Sequence, residues 1–150
     1  MLCSLRTDEG LASKLSGSVL VTAPSRTLVV ESARRVHDAS RNASGPFIMF
    51  PARDLPSGGR ALRDVCKSLL VEASGGTLLI TDIEELSVVG QTMFAGVLGL
   101  LERPRIRTAE VRIMTGTTVT LLDCVTAGRL DDELFYRLNM VHILWGSPER

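Results

Sequence analysis

The segment running from Gly75 to Leu86, GGTLLITDIEEL, sets the architecture of this 150-residue chain. Its glycine pair closes off the preceding segment, and the run Thr77 to Thr81 (TLLIT) is apolar without alternation, as a strand covered on both faces must be. Asp82, Glu84 and Glu85 then crowd the strand's end, where three acids in a row of four face solvent by default. Working outward, the same uninterrupted apolar character recurs at Ser18 to Thr22 (SVLVT), Pro46 to Phe50 (PFIMF) and Val111 to Thr115 (VRIMT). Met140 to Leu144 (MVHIL) supplies a fifth run.

Between these runs lie segments of helical period. Val29, Val30, Ala33, Val36 and His37 recur at three- and four-residue spacing and form an inward stripe, with Arg34, Arg35 and Asp38 turned away. Gly59 to Ala73 reads as a second helix carrying Leu62, Val65, Cys66, Leu69 and Leu70 on one face, ended by Gly75-Gly76. A third helix is expected from about Ser87, its N-cap, to Glu102, with a stripe of Val89, Met93, Val97, Leu100 and Leu101 and a stop before Pro104. Asp132 to Leu138 is the last helical signal. Strands alternating with helices predict an α/β fold around a five-stranded, mainly parallel sheet. No repeat, low-complexity tract or linker divides the chain, so residues 1 to 150 are read as a single domain.

Hydrophobic residues make up 45% of the chain and charged residues 23%, the balance of an ordinary globular protein. Seventeen basic residues cancel seventeen acidic ones. No long-range field therefore draws the chain to nucleic acid or to an anionic membrane surface, and neither is expected as a direct partner. Cys3, Cys66 and Cys124 are an odd number without a close pair, which predicts free thiols and no structural disulfide. No apolar run approaches the roughly 20 residues that span a bilayer, and Arg6, Asp8 and Glu9 interrupt the N-terminus where a signal peptide is apolar. A cytoplasmic location is the expectation. His37 and His142 have no cysteine or acid at metal-ligand spacing, so no metal site is assigned; Trp145 is expected to cover the sheet end.

Several segments, in order and in spacing, resemble the AAA+ ATPase domain of sigma-54-dependent transcription activators. GGTLLITDIEEL resembles that family's Walker B segment, usually GGTLFLDEIGEL, and Gln91 to Glu102 the helix after it. Val111 to Met114 is similar to the sensor strand, and Gly128 to Asn139 (GRLDDELFYRLN) to the family's GRFREDLYYRLN. Upstream, VLVTAPSRTLVVESARRVH from Val19 to His37 aligns without gaps on VLITGESGTGKELVARAIH. The resemblance spans about Val19 to Arg150 and implies a three-layer α/β/α, P-loop NTPase-like AAA+ core.

The resemblance also implies where nucleotide chemistry should sit. The phosphate-binding loop requires GxxxxGK followed by Ser or Thr, since glycines let backbone N–H groups wrap the phosphates and lysine grips the outer ones. Here the loop is Ala23, Pro24, Ser25, Arg26, Thr27, Leu28, Val29, Val30. Ala23 and Leu28 stand at glycine positions and Val29 at the lysine position. Arg26 as a stand-in for that lysine is set against a solvated loop arginine. The Walker B acid pair is Thr81 and Asp82. Asp82 reads either as a cation ligand or as a strand-end acid capping the next turn. The sensor ATN becomes Gly116-Thr117-Thr118, with Thr118 in place of the amide. The first finger arginine is Asp131; Arg137 matches the second and also suits an ion pair with Asp132 or Glu133. All of these are expected to be non-functional relics, with no catalytic residue, no metal and no cofactor.

Leu55 to Gly75 holds no counterpart of the GAFTGA insertion with which the family touches sigma-54. The chain ends at Arg150, where the family's PPLRER leads into a helical lid, so no lid is expected. Met1 favours a chain that starts here over an excised piece. The function expected is that of a non-catalytic AAA+-like interaction domain that docks on a sigma-54 activator or related ring and modulates it. The alternative is a weak ATP- and magnesium-binding module, with Asp82, Arg26 and Arg137 around the pocket, or a fragment of a two-component response regulator. A homodimer is left open.

Overall fold

In a computed structural model, which describes residues 18–101 and 111–145, the apolar runs form one parallel sheet in the order β2-β3-β4-β1-β5. The strands are β1 (Val19–Thr22), β2 (Phe47–Pro51), β3 (Thr77–Thr81), β4 (Arg112–Thr117) and β5 (Val141–Leu144). The described helices are α1 (Arg26–Ala39), α2 (Gly59–Glu72), α3 (Val88–Leu101), α4 (Leu121–Thr126) and α5 (Asp132–Leu138). Short 3₁₀ turns lie at Ala52–Asp54 and Ile83–Glu85. Expectations about Cys3, about Arg6, Asp8 and Glu9, about the stop at Pro104 and about the chain beyond Trp145 lie outside the described residues.

Successive side chains of a strand point to opposite faces, and that alternation builds two cores. Val19 and Val21 of β1, Leu79 of β3, Met114 of β4 and Ile143 of β5 meet Val29, Ala33 and Val36 of α1 on one face. Leu20, Leu78, Ile80 and Ile113 meet Leu69 of α2, Phe94 and Leu98 of α3, Cys124 of α4 and Leu134 and Leu138 of α5 on the other. Three layers result. His37 closes the first core: its Nδ1 lies 2.8 Å from the Thr77 hydroxyl and its ring packs on Phe47.

The glycine pair has a steric reason. A Cβ on Gly76 would overlap the Pro46 carbonyl, so the start of β3 can approach β2 only without a side chain, while Gly75 holds a φ of +80°. Thr77 N then donates to Pro46 O at 2.9 Å.

Two expectations are corrected. Burial on both faces holds for β1, β3 and β4 but fails for β2 and β5, which are the sheet edges; Met49 of β2 is 50% exposed. The stripe expected on α3 is also displaced. Phe94 and Leu98 face the core together with the buried amide of Gln91, whereas Val89 is exposed. Val88–Leu101 is apolar nearly all round, so its period does not select a face, and tertiary contacts decide. Ser87 caps α3 as expected, its Oγ accepting from Gly90 N at 3.0 Å.

Candidate functional site

The C-terminal ends of β1, β3 and β4 meet where open parallel sheets bind ligands. β1 leads through Ala23 and Pro24 to Ser25, the N-cap of α1, whose hydroxyl accepts from Leu28 N at 3.2 Å. Ala23 N donates to Thr117 O at 3.2 Å, which ties the loop to β4. Arg26 is the first residue of α1, and its Nη2 reaches Asp82 Oδ2 at 2.6 Å. The loop arginine is thus half exposed and ion-paired. Asp82 is buried in the left-handed region at φ 54°, and its side chain makes no cap bond to the turn that follows. Its carboxylate goes to Arg26. Of the three crowded acids only Glu85 is exposed; Glu84, half-buried, accepts from the Thr117 hydroxyl at 2.6 Å.

Val29 is 1% exposed and belongs to the α1-side core. Its partner is Gly116 of β4. A Cβ built there would overlap Val29 Cγ1 and sit 3.5 Å from Val29 Cβ. The branch of Val29 fills the place of the side chain that Gly116 lacks. Pro24 and Thr27 are exposed, Leu28 and Val30 half-buried and Thr81 buried beside Asp82. Thr118 is exposed. Thr117, its neighbour, turns inward instead and also accepts from Val119 N at 3.1 Å. Thr117 and Gly116 are read in the sequence only as part of the sensor string and Glu84 only as one of the crowded acids; none of the three is given a bonding or packing role there. The available signal was a glycine directly after the apolar run Val111 to Thr115: β4 continues through it to Thr117, and a glycine in a strand marks close approach of another group.

Arg137 lies on α5 and Asp131 directly before it. Asp131 is the N-cap, its Oδ2 accepting from Leu134 N at 3.1 Å, and its own N–H donates to Gln91 Oε1 at 2.9 Å. Gln91 in turn donates to Arg129 O at 3.0 Å, so one buried amide joins α3 to the α5 entry. Arg137 pairs with Glu133 at 3.4 Å and lies against Gly99 of α3. The ion pair expected for Arg137 is therefore present, with Glu133 as a partner.

Elsewhere, His142 Nε2 lies 2.9 Å from the Thr22 hydroxyl, and partial burial holds its imidazole below the usual range although the residue keeps an exposed side. Trp145 is half-buried at the sheet end with Arg35 over its ring. Among the described residues no helix is long and apolar enough to cross a membrane.

The family model described as "Sigma-54 interaction domain" matches residues 61–144. Regulatory protein AtoC of Escherichia coli K12 is 32% identical over 148 residues, covering 85% of this chain and 32% of AtoC. The P-loop NTPase domain of the sigma-54 transport activator from E. coli superposes with a TM-score of 0.73 at 21% identity, covering 95% of this chain and 92% of that one. NtrX from Brucella abortus in complex with ATP superposes with a TM-score of 0.75 at 23% identity, covering 95% and 36%. The chain spans about a third of the length of the curated relatives it matches.

Proposed function

Because the chain belongs to the sigma-54 interaction domain family, we propose that it is a non-catalytic member, an interaction domain that modulates a partner activator instead of hydrolysing ATP. One observation carries this reading: the residue aligned with the phosphate-gripping lysine, Val29, is a core side chain packed into Gly116. An ammonium placed there would have to leave the core to reach an anion, and Val29 offers neither charge nor donor. Leu28 adds a side chain where the backbone has to approach phosphate closely. Asp131 supports the same reading. It caps α5, and a carboxylate there repels the phosphate charge that an arginine would stabilise.

What the family fold retains is its frame: the sheet, the α1 to α5 packing, and the α5 segment held by Gln91. A frame without turnover suits docking on a related ring. The partner is a protein, and no cofactor is required.

The test is biochemical. The purified sigma-54-dependent activators encoded by the same genome are mixed with this chain, and their ATPase rate and particle mass are followed. A dose-dependent fall in rate with a change in assembly size supports the reading. Unchanged rate and mass at tenfold excess of this chain contradict docking.

A further inference from the structure

We propose that Arg26 is a tethered counter-ion that latches the β1–α1 loop onto the end of β3 by satisfying the buried Asp82 carboxylate from within the chain. The two partners sit 56 residues apart, on separate elements, at 2.6 Å. The Asp82 side chain is only 8% exposed while that of Arg26 is 47% exposed. A buried carboxylate is costly unless a hydrogen-bonded cation accompanies it, and Arg26 supplies that cation from the rim, where its own desolvation is partial.

Among the described residues the loop has few other hydrogen bonds to the strand ends. Ala23 N bonds to Thr117 O on the β4 side, and Ser25 serves only its own helix through Leu28 N and Val29 N. On the β3 side, among the described residues, the tie is the Arg26–Asp82 ion pair. It closes a ring of contacts running from β1 through the loop to β3, while Thr117 and Glu84 join β4 to the turn that Asp82 begins. A strand-end carboxylate left alone would attract a divalent cation. With the guanidinium on Oδ2, the carboxylate is satisfied inside the chain, and the loop holds its shape with no ligand. The proposal rests on the function above only in taking these strand ends as unused by nucleotide, and its test is run without nucleotide, so the two fail separately.

The full chain is compared with Arg26→Ala, Asp82→Asn, the double variant and Arg26→Lys, using thermal midpoints and amide hydrogen exchange. Each of the first two is expected to lower the midpoint by roughly 3 to 6 °C, the size of one charge-assisted bond discounted for its exposed half. Exchange at the Leu28 and Val29 amides should quicken on the order of tenfold, with β3 amides unchanged. The double variant should be no worse than Arg26→Ala alone, and Arg26→Lys should restore part of the loss. Fully additive midpoints, or unaltered Leu28 and Val29 exchange in Arg26→Ala, would overturn the latch. If Arg26→Ala does not fold, Arg26→Gln paired with Asp82→Asn supplies the same cycle.

Discussion

Gly116→Ala is a one-carbon change with a large expected effect. The new Cβ would overlap Val29 Cγ1, with Val29 Cβ at 3.5 Å and Cγ2 at 3.8 Å. Rotating Val29 away is unfavourable because a valine in a helix has one strongly preferred χ1. Gly116 lies in β4, a central strand paired to β1 and β3, so the backbone has little room to yield. Overpacking of this kind costs about 2 kcal/mol. Val29→Ala removes two buried methyl groups, also about 2 kcal/mol including the space left behind. In Val29→Ala/Gly116→Ala the added methyl occupies the vacated space. The double variant is therefore expected to cost no more than Val29→Ala alone, about 2 kcal/mol less than the sum of the single changes. Urea unfolding followed by the fluorescence of Trp145, the single tryptophan, reads all four proteins. Single effects that add within roughly 0.5 kcal/mol would refute the placement of Val29 against Gly116.

Other outcomes follow from the described contacts. Asp131→Ala should cost about 1 kcal/mol through loss of the α5 cap while Asp131→Asn stays near neutral; equal midpoints for wild type and Asp131→Ala would remove the cap from the account. Burial pushes the Cys66 thiol up, so peptide mapping after alkylation near pH 8 should show Cys66 labelled several-fold slower in the folded than in the urea-unfolded chain, and equal rates would count against it. Burial lowers the His142 imidazole from 6.5, so the unfolded chain takes up this proton first, and stability is lost as pH falls from about 6.5 through the folded value. The loss is small because His142 is partly exposed, and it should shrink in His142→Gln between pH 7.5 and 5.5; an identical pH slope in both proteins would contradict it.

The layers of the fold were legible wherever one residue type dominated a short run. Leu78, Leu79 and Ile80 could only be a strand covered on both faces, and Ala33 and Val36 recur at a helical interval. The rest depended on neighbours that a linear string does not reveal. Met49 reads as buried until β2 is found at an edge. Val89 reads as core in a helix apolar all round, and α4, at six residues, is too short to establish a period. The site was legible as residue types, since the valine at position 29 and the aspartate at position 131 are visible in the string. Its bonding was not. Arg26 reads as a lysine stand-in or a solvated loop charge and Asp82 as a cation ligand or a cap. Even the alternative that gathers both around one pocket names no bond between them, because nothing local announces an ion pair across 56 residues. Gly116 and Val29 each look ordinary alone and are explained only by each other.

Titrating the chain with ATP and magnesium, by calorimetry and by thermal midpoint, addresses the proposed absence of nucleotide binding most directly. The account predicts no saturable heat and no midpoint shift at millimolar ATP. A micromolar Kd would contradict it, and the midpoint would then rise, since ligand at 100 times Kd stabilises the native state by about 2.7 kcal/mol.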